Sequence, residues 1–224
     1  MENPNFAKAL SRRATSLLFM ALVLASAGCA TGNAMKDSDR ASIKTVYVRP
    51  DVTLHPQMHF QQRGAGMGAA FGIAGAVAEG AARQPATPEQ TLAAMSVSPG
   101  VDVGEVLRQS FVREANARSS IRFVTDASVQ ADAELALKAN LWGFGRTHLL
   151  GEALHPMFNV QATMQKRDGS QVWSRTDYVT PLNELNKEGY KIEDMTAQPT
   201  TLAKAYRQGA DLVARFLASG LPPK

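Results

Sequence analysis

The chain is predicted to fold as an α+β domain: an antiparallel or mixed sheet of about four to five strands with two helices packed on one face. Three observations predict it. Ala133, Leu135, Leu137, Ala139 and Leu141 alternate with polar Glu134, Lys138 and Asn140, the period of a half-buried strand. Phe158, Val160, Ala162 and Met164 alternate in the same way with Asn159, Gln161, Thr163 and Gln165, and Asp168 and Gly169 supply the tight turn of a hairpin. Two further stretches carry apolar residues at three- and four-residue spacing, the signature of amphipathic helices. With 224 residues, 45% of them apolar, the chain can bury a core for one domain.

The elements follow in order. "IKTVYVRP" reads as a first strand, with Ile43, Val46, Tyr47 and Val48 as strand formers and Pro50 ending it. Residues 51–90 lose all period and read as an insertion. Next comes a helix with Val103, Val106, Leu107, Phe111 and Ala115 on one side and Arg108, Arg113 and Glu114 mostly on the other. "IRFVTD" is a short strand, and the alternating strand after it is expected to close at Gly143 and Gly145. The hairpin register stays open: a two-residue loop puts Trp173 on the face of Met164, and one more loop residue puts Val172 there. The last helix has a stripe of Leu202, Ala205, Tyr206, Gly209, Leu212, Val213, Phe216 and Leu217, opposed by Lys204, Arg207, Asp211 and Arg215. Gly220, Pro222 and Pro223 stop it. The order of strand, insertion, helix, strand, strand, hairpin and helix suits helices laid on one face of a sheet.

The formal charge is +4, and Lys8, Arg12 and Arg13 against Glu2 supply half of it. Beyond that segment the chain is nearly neutral and its basic residues alternate with acids, so no nucleic-acid partner is expected. The basic start is followed by an uncharged run, "ATSLLFMALVLASAG", and then by Cys29, the chain's single cysteine. This is the build of a secretory signal over residues 1–28.

"LASAGC" resembles the lipobox of bacterial lipoproteins, although Ser26 stands where that family more often has Leu. The resemblance implies that Cys29 carries diacylglycerol on its thiol and an acyl chain on its freed amino group, with no other cofactor. Two or three such chains anchor firmly, since each buried methylene contributes about 0.8 kcal/mol. An ordinary signal peptide with an unrelated cysteine is the alternative. Ala30 follows the cysteine in place of the Asp that, in that family, favours the inner membrane. The implied location is the periplasmic face of the outer membrane. Residues 29–42, small and polar, read as a tether, and residues 43–219 as one periplasmic domain.

Within the insertion, "GAGMGAAFGIAGAVAEG" places Gly64, Gly68, Gly72, Ala76 and Gly80 four apart. As a helix, residues 64–80 would line these along one side, where another backbone can approach closely. The spacing is similar to that of the glycine-zipper segments of some outer-membrane lipoproteins. The uncharged stretch reaches only about 22 Å at 1.5 Å per residue, short of the roughly 30 Å of a bilayer core. A lone spanning helix is therefore not expected. Self-packing, packing at the membrane surface, and a flexible linker remain as readings.

Chemistry finds little purchase. His55 and His59 have helical ligand spacing, but Pro56 lies between them and no third ligand follows. His148 and His155, with Glu152 between, would suit a general acid–base pair, but loop histidines are more often simply solvated. Asp126, Asp132 and Glu134 bracket a strand start and suit turn and edge duty. There is no Gly-x-Ser-x-Gly elbow or phosphate loop, so neither catalytic nor metal-binding residues are expected.

"GVDVGEVLRQSFVREA", "ADAELALKANLWGFG" and "DGSQVWSR" resemble small periplasmic domains of envelope-assembly lipoproteins. The pattern is similar to the curli-secretion channel lipoprotein, the activators of penicillin-binding proteins and the lipopolysaccharide-assembly lipoprotein. It departs from them in the insertion and in lacking a match to the curli channel's membrane hairpins. The resemblance implies an outer-membrane-anchored, non-enzymatic binding or assembly factor. Its partners would be membrane lipid through Cys29 and other envelope proteins or itself. The alternatives are a self-associating membrane-active or channel-forming lipoprotein, and an envelope hydrolase or metal-site protein.

Overall fold

The computed structural model describes residues 31–60, 86–98, 100–147 and 151–224. Its elements in chain order begin with β1 (Thr31–Asn33), α1 (Asp37–Ser42), β2 (Thr45–Val48), β3 (Thr53–Leu54), β4 (His59–Phe60) and α2 (Pro88–Met95). They continue with α3 (Val103–Arg118), β5 (Arg122–Val124), β6 (Ala133–Gly145), β7 (His155–Lys166), β8 (Gln171–Val179), α4 (Ile192–Ala197) and α5 (Pro199–Ala218).

The class is α+β, but the expected count of four to five strands and two helices is corrected. The sheet is mixed and eight-stranded, and five helices are present among the described residues. The unforeseen strands β1, β3 and β4 have two or three residues, and the helices α1 and α4 have six. Elements of that length do not complete enough repeats for a period to show.

Along the sheet the order is β1-β8-β7-β6-β2-β5, with β3 and β4 also on β6. The pairs β6–β7 and β7–β8 are antiparallel, whereas β2, β3 and β4 all run parallel to β6. These three succeed one another along one edge of β6: Val46 lies opposite Ala133, Thr53 opposite Lys138 and His59 opposite Gly143. Residues 51–60, read as the start of an insertion, therefore continue the course of the first strand. Pro50 and Pro56, which have no amide proton for a ladder, stand in the two interruptions. At Gly143, φ is +143° and a side chain would meet the His59 carbonyl oxygen at 1.8 Å.

Two bulges set which residues face the core. Ala139 pairs with Val160 and Leu141 with Asn159, so Asn140 is an extra residue on β6. The alternation changes phase there: Leu141, expected inward, is only half-buried, and Trp142 and Phe144 are buried instead. In the hairpin, Met164 pairs with Trp173 and Gln165 with Gln171, which makes Val172 the bulged residue. Both candidates for the inward place, Val172 and Trp173, are consequently buried.

The two long helices pack on each other, α5 against β7 and β8 and α3 against β5. Asp102 caps α3 by accepting from the amides of Gly104 at 2.9 Å and Glu105 at 3.2 Å. Leu137 and Leu212 are both buried. Tyr206 of α5 sits among Trp142, Phe144 and Phe158, with ring centroids 6.3, 5.0 and 6.1 Å away. Its buried hydroxyl lies 2.6 Å from Ser96 Oγ and donates to Met58 Sδ at 3.5 Å. Burial raises the phenol's pKa, so it remains a neutral hydroxyl joining the 55–60 segment, the end of α2 and α5.

Candidate functional site

Beyond β8, residues 180–191 cover the end of the sheet where β6 finishes and β7 begins, and a polar network fastens them. Asn183 Oδ1 accepts from the Thr180 amide at 2.6 Å, a side chain reaching back three residues to hold the start of the loop. Asn186 is buried and donates to the carbonyls of Pro156 and Thr180, each at 2.9 Å. Its Oδ1 accepts from Gln208 Nε2 of α5 at 2.9 Å, and its backbone carbonyl lies 2.9 Å from Nδ1 of buried His155.

The network extends outward. Tyr190 donates to Gln208 Oε1 at 2.8 Å, while Lys204 pairs with Glu188 and lies 5.8 Å from the centre of the Tyr190 ring. Burial, then the neighbouring Glu188, pushes the Tyr190 phenol above its ordinary value. Gly189 is required by close approach: a side chain would fall 2.7 Å from Ala153 Cβ and 2.9 Å from His155 Nε2. His155, read as a loop residue, begins β7 and serves this network; no signal in its neighbourhood pointed to Asn186 as its partner, because that contact is remote in sequence.

The other nominated residues do not converge. Nδ1 of His55 is engaged with the Gln57 backbone at 3.0 Å. His59 lies in β4, and its pKa is lowered by burial first and by His55 second. Asp132 accepts from the amides of Lys44 and Thr45 at 2.8 and 2.9 Å, and Asp126 from that of Ser128 at 2.8 Å. Those are edge and turn duties. Among the described residues no group of three or more His, Cys, Asp or Glu side chains is placed to hold a metal ion. None of their helices is long and apolar enough to cross a membrane. Cys29, Gly64, Gly68, Gly72, Ala76, Gly80 and His148 lie outside the described residues.

A second feature is the amino-terminal arm. Residues read as a tether include β1, on the edge of β8, and α1. Met35 between them is buried, and Asp39 of α1 pairs with Lys166 at 2.5 Å. Arm and hairpin enclose an open, polar cleft of about 630 Å³ lined by residues that include Asn33, Lys36, Asp39, Lys166 and Gln171. The hydrogen bond to Asp39 raises the pKa of Lys166.

No protein-family model matches the chain, and no curated protein matches it. Solved structures do. The chain is similar to a PelC variant, a dodecamer from Paraburkholderia phytofirmans, at 12% identity over 80% of this chain and 94% of that one, with a TM-score of 0.38. It is similar to protein XCC0632 from Xanthomonas campestris, at 17% identity over 79% and 82% of the two chains, with a TM-score of 0.40. A minor lipoprotein from Acinetobacter baumannii aligns at 16% identity over 54% of this chain and 89% of that one, with a TM-score of 0.29.

Proposed function

We propose that the protein is a lipid-anchored component of the bacterial envelope, held at the periplasmic face of the outer membrane by acyl chains on Cys29. Its domain acts by binding and positioning other envelope components, not by catalysis. The observation that carries this reading is the run from Lys8, Arg12 and Arg13 through an uncharged stretch to "LASAGC". The non-enzymatic part is supported by how the nominated titratable groups are employed: Asp132 and His155 are each bonded within the fold.

Cys29→Ser tests the anchor. The acylated cysteine is what the lipoprotein signal peptidase acts on, so the variant should accumulate as an uncleaved precursor. Normal processing with firm membrane attachment in high salt would refute it. A pull-down of the acylated protein from membranes then identifies the client.

The four-residue spacing of Gly64, Gly68, Gly72, Ala76 and Gly80 favours a second reading, self-association through a helix with a small face. Changing Gly68 and Gly72 together to Leu should abolish cross-linked oligomers. If oligomers persist unchanged, and deletion of residues 64–80 is also silent, the stretch is a linker.

A further inference from the structure

Four large apolar side chains are exposed among the described residues: Val97, Tyr178, Leu182 and Leu185. Three of these lie at the end of β8 and on the loop after it, with Leu182 65% and Leu185 54% exposed. Single exposed leucines are ordinary, but these two are presented by a loop that cannot turn them inward. The hydrogen bonds of Asn183 and Asn186 to Thr180, and that of Asn186 to Pro156, fix its path. Leu154 and Tyr190 exchange backbone hydrogen bonds at 2.8 and 2.9 Å across its far end. Within this frame Pro181 and Asn186 take the buried places and Leu182 and Leu185 the outer ones.

The arm indicates what they face. Gly32 of β1 lies so close to β8 that a side chain would meet the Ser174 carbonyl oxygen at 2.0 Å. From there the chain passes Ser174, which accepts from the Asn33 amide, and reaches the cleft beside Gln171, Val172 and Lys166. β1 thus runs opposite to β8, and traced back from Gly32 it heads toward the Val179 end. Gly32 stands three positions after Cys29, a reach of at most about 11 Å of extended chain.

Resting on the reading of Cys29 as acylated, we infer that Tyr178, Leu182 and Leu185 form a membrane-contact patch. The acyl chains draw this end of the sheet against the bilayer. The leucines enter the headgroup region, and Tyr178 lies at the interface, where its apolar ring and polar tip are both accommodated. On the same loop Lys187 and Lys191 are offset by Glu184 and Glu188, so the contact is apolar and insensitive to salt.

The experiment uses the full-length acylated protein carrying Leu182→Cys, Leu185→Cys or Arg167→Cys. Arg167 is exposed at the opposite end of the β7–β8 hairpin, roughly 30 Å away at 3.3 Å per strand residue. Each new thiol is labelled with nitrobenzoxadiazole, and the protein is placed in phosphatidylethanolamine–phosphatidylglycerol vesicles containing doxyl-labelled lipid. Labels at 182 and 185 should shift to the blue and be quenched several-fold more than the label at 167, in low and high salt alike. Equal quenching at all three sites on acylated protein overturns the orientation while leaving the anchor standing. A blue shift that appears without vesicles and grows with protein concentration overturns it in favour of a second copy. Mass spectrometry reads the anchor separately: protein of unacylated mass overturns both.

Discussion

At Gly209 α5 approaches β7 closely, and this contact shows how packing reverses a local preference. A methyl group there would fall 2.7 Å from Pro156 Cβ and 2.8 Å from Phe158 Cε2. Alanine is favoured over glycine within a helix by about 1 kcal/mol, yet overpacking of this kind costs about 1–3 kcal/mol. Gly209→Ala should therefore lower stability in urea unfolding; a stabilised variant would show that the helix can retreat without loss. Asn186→Ala should cost about 1–3 kcal/mol, because it strands the buried carbonyl groups that the amide serves. Asp132 adds a pH test. The backbone amides of Lys44 and Thr45 hold its carboxyl below the usual carboxylate range. A carboxyl lowered on folding stabilises fully above its unfolded pKa, about 4, and that stabilisation is lost as pH falls through the folded value. Asp132→Ala should thus lower the urea midpoint at neutral pH, with a deficit that shrinks in acid. A deficit equal at both would assign the loss to packing instead.

Alternation located the long strands correctly, but a bulge resets it without leaving a mark in residue type. Up to Ala139 the inward residues of β6 are the expected ones, and beyond Asn140 they are Trp142 and Phe144, not Leu141. A Leu at 141 continues the period as well as any inward residue would, so only pairing with β7 reveals the slip. Phe144→Ala should cost about 3–5 kcal/mol as a large-to-small change in a filled core. Leu141→Ala, at a half-buried place, should cost well under Leu137→Ala, for which about 2–5 kcal/mol is expected. Chemical denaturation of the three variants checks the order, and Leu141 proving the costliest would restore the uninterrupted strand. The hairpin carries the same lesson differently. Its two registers competed because Val172 and Trp173 are both apolar, and the bulge buries both.

For the whole molecule, the arm decides where the domain begins. Met35 is buried and β1 covers an edge strand that would otherwise be open to pairing. A chain starting at residue 30 should unfold at higher urea than one starting at residue 43, and Met35→Ala in the longer chain should abolish much of that difference by costing about 2–5 kcal/mol. Equal midpoints would mean that the arm rests on the surface without stabilising it. Cys29 stands two positions before the first residue of β1, so on the proposed reading of Cys29 as acylated the anchor and the membrane-contact patch become linked questions.

The sequence by itself determined the two long amphipathic helices, the alternating strand β6, the β7–β8 hairpin and the lipobox-like run ending at Cys29. Each repeats a period, or a fixed order of residue types, over enough residues to stand out from its surroundings. Tertiary structure alone decided the eight-strand count, the parallel course of β2, β3 and β4 along β6, the bulges, and the Asn186–Gln208–His155 network. Those depend on backbone pairing and on contacts between remote segments, where a two-residue strand or a single buried amide gains its meaning from the partner that satisfies it.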